Sequence, residues 1–238
     1  LSTVVAGLRT VPGVEQATYS AAFPMVGTML MEANVLGNGS HTKASAVMYV
    51  GNNLVDTLGL RLVAGRNFTP DEEAVTPSSN MVFRANGPVI VTRALADRLY
   101  PDGHALGKTL HYANSPDGSR TIVGIVAHLM RNRFTQRPQE LDYTLLFPGW
   151  VRQFPIAIFA VRTSGFNVMR TCRTLESVIQ HNVGDRLVPG SEVQCDTYAS
   201  LRDQMLAQPR AAVWLLAGVT LIVLIVTLTG IAGMTGYW

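Results

Sequence analysis

Charge is scarce in this sequence and absent from its end. Asp, Glu, Lys and Arg make up 15% of the 238 residues, and none falls between Ala211 and Trp238. Lys+Arg 19 against Asp+Glu 16 leaves a net charge of +3 without a basic block, which argues against a nucleic-acid partner. Cysteine is scarcer still, with only Cys172 and Cys195. They can pair in an oxidising compartment, although the simpler reading is two small buried residues, so redox compartment stays open. Catalytic signatures are missing as well. There is no Gly-x-Ser-x-Gly elbow, no His-Glu-x-x-His and no Cys-x-x-Cys. His41, His104, His111, His128 and His181 are scattered; His104 and His111, seven apart across a turn, leave a metal site open without calling for one. Spacing alone does not exclude paired carboxylates, but Asp71, Glu72 and Glu73 follow Thr69-Pro70 and read as acids stabilising a helix N-terminus. No catalytic, cofactor-binding or metal-binding residue is expected in this chain.

What is present is an apolar tail. Ala211 to Ile231 reads AAVWLLAGVTLIVLIVTLTGI, and ~20 apolar helical residues cross a hydrocarbon core of ~30 Å. Thr220, Thr227 and Thr229 can bond back to the preceding turn. Trp214 at one end, with Tyr237 and Trp238 at the other, suits two interfacial belts. The expected transmembrane segment is 209–236, with Ala211, Trp214, Leu224 and Ile231 inside it. A buried core helix is the alternative, but the remaining chain is too small to wrap it. The chain begins on Leu1 rather than Met and stops without a polar flank, so both ends read as cut from a longer protein. Membrane orientation is therefore not readable from loop charges.

Ahead of the tail, hydrophobic periodicity gives an α+β pattern. Leu1, Val4, Val5, Leu8 and Val11 mark a helix stopped by Pro12-Gly13, and Val14–Ser20 reads as a strand. Strands follow at 29–36 and 44–50 around Gly37-Asn38-Gly39-Ser40. A short helix at 52–58 is closed by Gly59, 60–64 is extended, and Pro70 opens another helix. A polar loop is expected at 76–86, a strand at 89–92 and a helix at 93–99. Residues 109–113 and 121–128 read as a hairpin turning at Ser115-Pro116-Asp117-Gly118. Strands at 142–147 and 156–162 precede a helix at 167–182 whose apolar face is Val168, Cys172, Leu175 and Ile179. A strand at 192–196 leads to an amphipathic helix at 197–208. Helix, Val11-Pro12-Gly13, strand is echoed by helix, Val188-Pro189-Gly190, strand. This echo suggests a split ferredoxin-like α/β domain over 1–50 and 151–208, with an inserted β-rich subdomain at 51–150.

Two basic features look like binding motifs. Gly103-His104-Ala105-Leu106-Gly107-Lys108-Thr109 approaches a phosphate loop but is one residue short and runs into a strand instead of opening a helix. Arg131, Arg133 and Arg137 flank an expected exposed loop. An anionic head group or a partner carboxylate would suit them, but a solvated face is the default.

Several segments together resemble one family. Pro12-Gly13-Val14-Glu15, Asn53 to Leu60 and Ala64-Gly65-Arg66-Asn67-Phe68-Thr69 are followed by Pro88 to Ala96, Leu99-Tyr100-Pro101, Leu106-Gly107-Lys108 and Ile122-Val123-Gly124-Ile125-Val126. Their order resembles the extracytoplasmic (periplasmic core) domain of MacB/FtsX-type ABC transporter permeases. The departures are Asn52-Asn53-Leu54, where an aromatic is usual, and His128, where an Asp is usual. The resemblance implies a noncatalytic subunit of the bacterial inner membrane with residues 1–208 outside the cytoplasm. Its periplasmic domain would move with an ATPase, separate or fused, that binds the ATP; no cofactor is implied here. Implied partners are that ABC ATPase, a second permease copy, a periplasmic adaptor protein and membrane lipids. Pro209, with Arg210, sits where a helix would bend at the membrane surface, and is the expected coupling hinge. A membrane-anchored sensor or binding module, or an anchored hydrolase, is the alternative. The substrate is not legible.

Overall fold

The structure is a computed structural model. It describes residues 2–26, 32–37, 42–74, 86–113, 115–132, 137–149, 157–164, 168–183 and 193–235. Expectations for 38–41, for 76–85 and for the second Pro-Gly stop at 189–190 lie outside these residues. The chain divides into two units, Leu1–Cys195 and Asp196–Trp238.

In the first unit, α1 (Ser2–Arg9) buries Val4, Val5 and Leu8, three of the positions its periodicity marks. It leads to β1 (Val14–Ser20), which pairs antiparallel with β9 (Ile158–Thr163). α5 (Val168–Val183) follows β9. Ala17, Tyr19, Phe159 and Val161 project from this ribbon onto Val4, Val5, Leu8, Leu175, Val178 and Ile179 of the two helices. The apolar face of α5 is therefore turned from the expected one. Leu175 and Ile179 are inside, Cys172 is half-buried, and Val168 is 43% exposed. An i, i+3, i+4 series has more than one solution on a short helix, and contact with α1 selects 175, 178 and 179. The strand expected at 192–196 is not one: residues 193–197 have no regular structure.

The larger part of the unit is a seven-stranded sheet in the order β4-β7-β5-β8-β3-β2-β6. Its strands are β2 (Glu32–Gly37), β3 (Lys43–Val50), β4 (Leu62–Gly65), β5 (Gly87–Thr92), β6 (Thr109–Tyr112), β7 (Ser115–Val126) and β8 (Thr144–Phe147). The end strand β6 also pairs with β7, so six strands close into a barrel and β4 extends the far half of β7. Closure pairs the outer side of β6 with β7, while β4 is paired on one side only among the described residues. β3–β8 and β5–β7 run parallel; the other pairs are antiparallel. The hairpin β2–β3, grouped by sequence with the opening segment 1–50, is hydrogen-bonded into this sheet instead. The turn expected at Ser115–Gly118 is also displaced. β7 begins at Ser115, and the register slips between His111↔Ser119 and Tyr112↔Ser115.

Both sheet faces are buried, as the near-continuous apolar runs require. Ala44, Ala46, Met48 and Val50 of β3 join Val89, Val91, Leu145 and Phe147 on one face, covered by Leu95 and Leu99 of α4 (Arg93–Leu99). Val47, Tyr49, Ile90 and Leu146 face the other way, onto Phe23, Phe68 and Ala160 and onto Leu54 and Val55 of α2 (Leu54–Leu58). Because Ala160 comes from the ribbon, ribbon and barrel share one core.

In the second unit, α6 (Tyr198–Thr235) is a single helix of 38 residues.

Candidate functional site

Two of the resemblance motifs meet at the β4–β7 edge. Gly65 has φ +74°, and a Cβ there would lie 2.2 Å from the Val123 carbonyl oxygen. A Cβ on Gly124 would lie 2.4 Å from the Arg66 carbonyl oxygen. Only glycine at both positions permits this approach. Beyond it, α3 (Pro70–Ala74) opens with a reciprocal cap: the Glu72 N–H donates to Thr69 Oγ1 (3.3 Å) and the Thr69 N–H to Glu72 Oε2 (2.8 Å). Arg66 donates two bonds to the same carboxylate, at 2.7 and 2.8 Å. Those bonds, with the Thr69 cap, hold the Glu72 carboxyl at about 2 against the desolvation that would raise it. Glu72 thus caps the helix start, as its position after Thr69-Pro70 indicates.

The departure at Asn52-Asn53 has a physical reason. The buried Asn52 donates through Nδ2 to the Glu73 carbonyl oxygen (2.9 Å), while the Gly149 N–H donates to its Oδ1 (2.7 Å). Its own carbonyl accepts the Thr18 hydroxyl of β1. Asn53 sits in the left-handed region at φ 56°, which asparagine tolerates better than an aromatic residue. Its N–H donates to Glu73 Oε1 (2.7 Å) and its Nδ2 to Gln16 Oε1 (2.5 Å). Burial raises the Glu73 carboxyl, partly opposed by the Asn53 N–H. Arg162 of β9 donates to the Asp56 carbonyl oxygen at the end of α2 (2.9 Å) and lies over the Gly59 turn, where φ is +65°. This polar clamp fastens the ribbon to the barrel side.

The basic motifs are absorbed by the fold. Lys108, which a phosphate loop would aim at its ligand, lies 5.0 Å from the Tyr100 ring centroid and 2.8 Å from Asp102 Oδ2. Arg131 is buried, not solvated: it donates to Glu32 Oε1 (2.6 Å) and the Ser45 carbonyl oxygen (3.2 Å), with Glu140 at 3.7 Å. Arg137 pairs with Glu140 at 3.0 Å, and Arg133 lies outside the described residues. His128 contacts Asp142 at 2.8 Å. Among the described residues no three His, Cys, Asp or Glu side chains gather as a metal site requires.

The two cysteines are bonded to each other, with Cα atoms 5.6 Å apart, and no free cysteine remains. The reading as two separate buried residues is overturned. Spacing did not expose this pair, because Cys195 reaches α5 from a segment without periodicity.

In α6, Val213–Ala232 is apolar and long enough to cross a membrane, and its side chains are exposed throughout. Trp214 is 78% exposed, Leu224 55% and Ile231 56%. Thr220, Thr227 and Thr229 donate to the carbonyl oxygens of Leu216, Val223 and Ile225 (2.7–2.9 Å), which hides their hydroxyls as expected. Ala211, Pro209 and Arg210 lie within the helical backbone; their side chains are outside the described set. An exposed apolar surface of this size demands a nonaqueous neighbour.

The family model of the MacB-like periplasmic core domain matches residues 3–180. No curated protein sequence matches the chain. Among solved structures, the chain is similar to the extracellular domain of the noncanonic ABC-type transporter YknZ from Gram-positive bacteria. That likeness has TM-score 0.51 and 15% identity, and covers 76% of this chain and 83% of that one. It is also similar to the periplasmic region of MacB from Actinobacillus actinomycetemcomitans, with TM-score 0.51 and 14% identity, covering 77% and 74%. At these identities the likenesses are of fold.

Proposed function

The chain belongs to the MacB-like periplasmic core domain family, and from that premise we propose that it is the extracytoplasmic part of an ABC transporter permease, anchored by α6 in the bacterial inner membrane. On this reading it performs no catalysis. It relays motion driven by an ABC ATPase, bound or fused, so as to export or extract a substrate. A second permease copy, a periplasmic adaptor and the surrounding lipids are its other partners. The ribbon with α1 and α5 is the porter-like, split ferredoxin-like module, and the barrel is the insertion within it.

One observation carries the reading: α6 is longer than an anchor needs. Its 38 residues span ~57 Å at 1.5 Å per residue, against ~30 Å of hydrocarbon. The excess lies in the charged stretch before Val213, so a continuous helix joins the bilayer to the folded unit's chain. A helix transmits displacement along its axis where a coil does not. Pro209 lies in this lever and donates no hydrogen bond to the preceding turn, so Pro209 with Arg210 is the proposed hinge.

The test is the full-length protein reconstituted in nanodiscs with its ATPase. ATP is expected to change the distance between the folded unit and the bilayer surface. Pro209→Ala is expected to alter that response. No nucleotide-dependent change in the parent protein removes the relay, and an unchanged response in Pro209→Ala removes the hinge.

A further inference from the structure

We propose that the Cys172–Cys195 disulfide is a mechanical clamp that gives the chain entering α6 a short covalent path to α5, so that helix displacement reaches the folded unit through that path. The proposal rests on the relay reading and adds the joint that the relay uses. Residue 195 is held twice on one helix. Its sulfur is bonded to Cys172 of α5, and its N–H donates to Glu176 Oε1, one turn further on (3.1 Å). Two residues later α6 is capped: the Ser200 N–H donates to Thr197 Oγ1 (3.1 Å) and the Leu201 N–H to the Thr197 carbonyl (3.0 Å). Only Asp196 separates the held residue from the capping one.

The geometry shows why this matters. Without the bond, the covalent path from α5 to α6 runs through residues 184–197, whose contour reaches roughly 50 Å at ~3.3–3.6 Å per residue, and the Cys195 N–H to Glu176 is a single exchangeable hydrogen bond beside it. With it, the path from α5 is the 5.6 Å between the Cys172 and Cys195 Cα atoms followed by roughly 10 Å from Cys195 to Tyr198. Switching displacements of packed helices are ~1–5 Å, a small fraction of the longer contour and a large one of the shorter. α5 can receive the pull because Leu175, Val178 and Ile179 are packed against α1 and the ribbon.

The test uses the full-length protein with its ATPase in nanodiscs. Fluorophores are placed through an unnatural amino acid at Gln204 on α6 or at exposed Ser177 on α5. ATP-dependent energy transfer to a lipid head-group acceptor is then measured. The parent protein is expected to respond at both sites. Cys172→Ser/Cys195→Ser is expected to keep the Gln204 response and lose at least threefold of the Ser177 response. Reduced parent protein re-bridged by a short bis-alkylating reagent should recover the Ser177 response. Re-bridging with a long flexible one should not, although both restore the closed loop and thus control for folding. An undiminished Ser177 response in the double variant, or equal responses with short and long bridges, overturns the clamp. Silence at both sites in the parent protein overturns the relay itself, and the clamp with it.

Discussion

Replacing Asn52 with Ala removes the two bonds its side chain contributes to the clamp while leaving the backbone turn free to form. The Glu73 carbonyl oxygen and the Gly149 N–H each lose their partner at a residue only 8% exposed. A buried hydrogen bond contributes about 1 kcal/mol net, and a buried group left unsatisfied costs about 1–3 kcal/mol. Partial entry of water lowers the sum, so the expected loss is about 2–3 kcal/mol. For a unit of this size 1 kcal/mol moves Tm by roughly 2–4 °C, so the shift should be roughly 5–10 °C. Circular dichroism melting in detergent measures it. Hydrogen exchange should add a location: protection falls first in α3 and the segment after β8, while β1, still bonded to the Asn52 carbonyl through Thr18, and the barrel strands β5 and β7 keep theirs. Asn52→Asp keeps an acceptor for the Gly149 N–H but sets a buried carboxylate against the Glu73 carbonyl oxygen, so it should be at least as destabilised as Ala. A Tm within 1–2 °C of the parent, or a loss spread evenly over the barrel, would refute the reasoning that these bonds hold α3 and the segment after β8 to the Asn52 turn.

Three further outcomes follow from the same geometry. Glu72 is held at about 2 in the fold against 4.5 for a free carboxyl. A depressed carboxyl contributes stability above its unfolded value and loses it as pH falls through its folded one. The contribution should therefore fade between about pH 4.5 and pH 2; it is about 1 kcal/mol because half-exposed Arg66 is screened by solvent, and Glu72→Gln should flatten that limb of an acid titration followed by melting. Gly65→Ala forces a Cβ into the Val123 carbonyl at positive φ, and should cost about 2–3 kcal/mol in the same melts, with Ala64→Gly close to neutral as the control. Leu224→Arg places a charge mid-span at about 3 kcal/mol, and should shift the chain from the membrane pellet toward the soluble or degraded fraction.

The sequence made legible what depends on near neighbours. α1 lies where Val4, Val5 and Leu8 mark one face. α2 ends at Gly59, whose left-handed turn bonds back to the carbonyls of Asp56 and Val55. The threonines of α6 hide their hydroxyls because i−4 carbonyls are in reach. The resemblance motifs pointed to the right family, yet their glycines became intelligible only when Gly65 and Gly124 were seen pressed against facing backbones. What stayed hidden is long-range. Barrel closure joins β6 to β7 through a register slip that a Ser-Pro-Asp-Gly turn signal masks. The β2–β3 hairpin goes to the barrel because β3 pairs with β8, about a hundred residues on. Arg131 looks like a surface cation until Glu32 and Glu140 are brought to it from distant segments. The disulfide joins residues separated by 23 positions and a stretch without periodicity. Pairings of this kind are set by tertiary contacts, and local propensity carries no trace of them.

The central claim is that α6 spans the membrane while residues 1–195 fold outside the cytoplasm. Protease added to intact spheroplasts tests it most directly. The account predicts that the folded unit is cleaved from outside and that a fragment carrying Val213–Ala232 stays with the membrane through alkaline extraction. A chain protected until the spheroplasts are lysed, or one released whole by alkaline extraction, would contradict it.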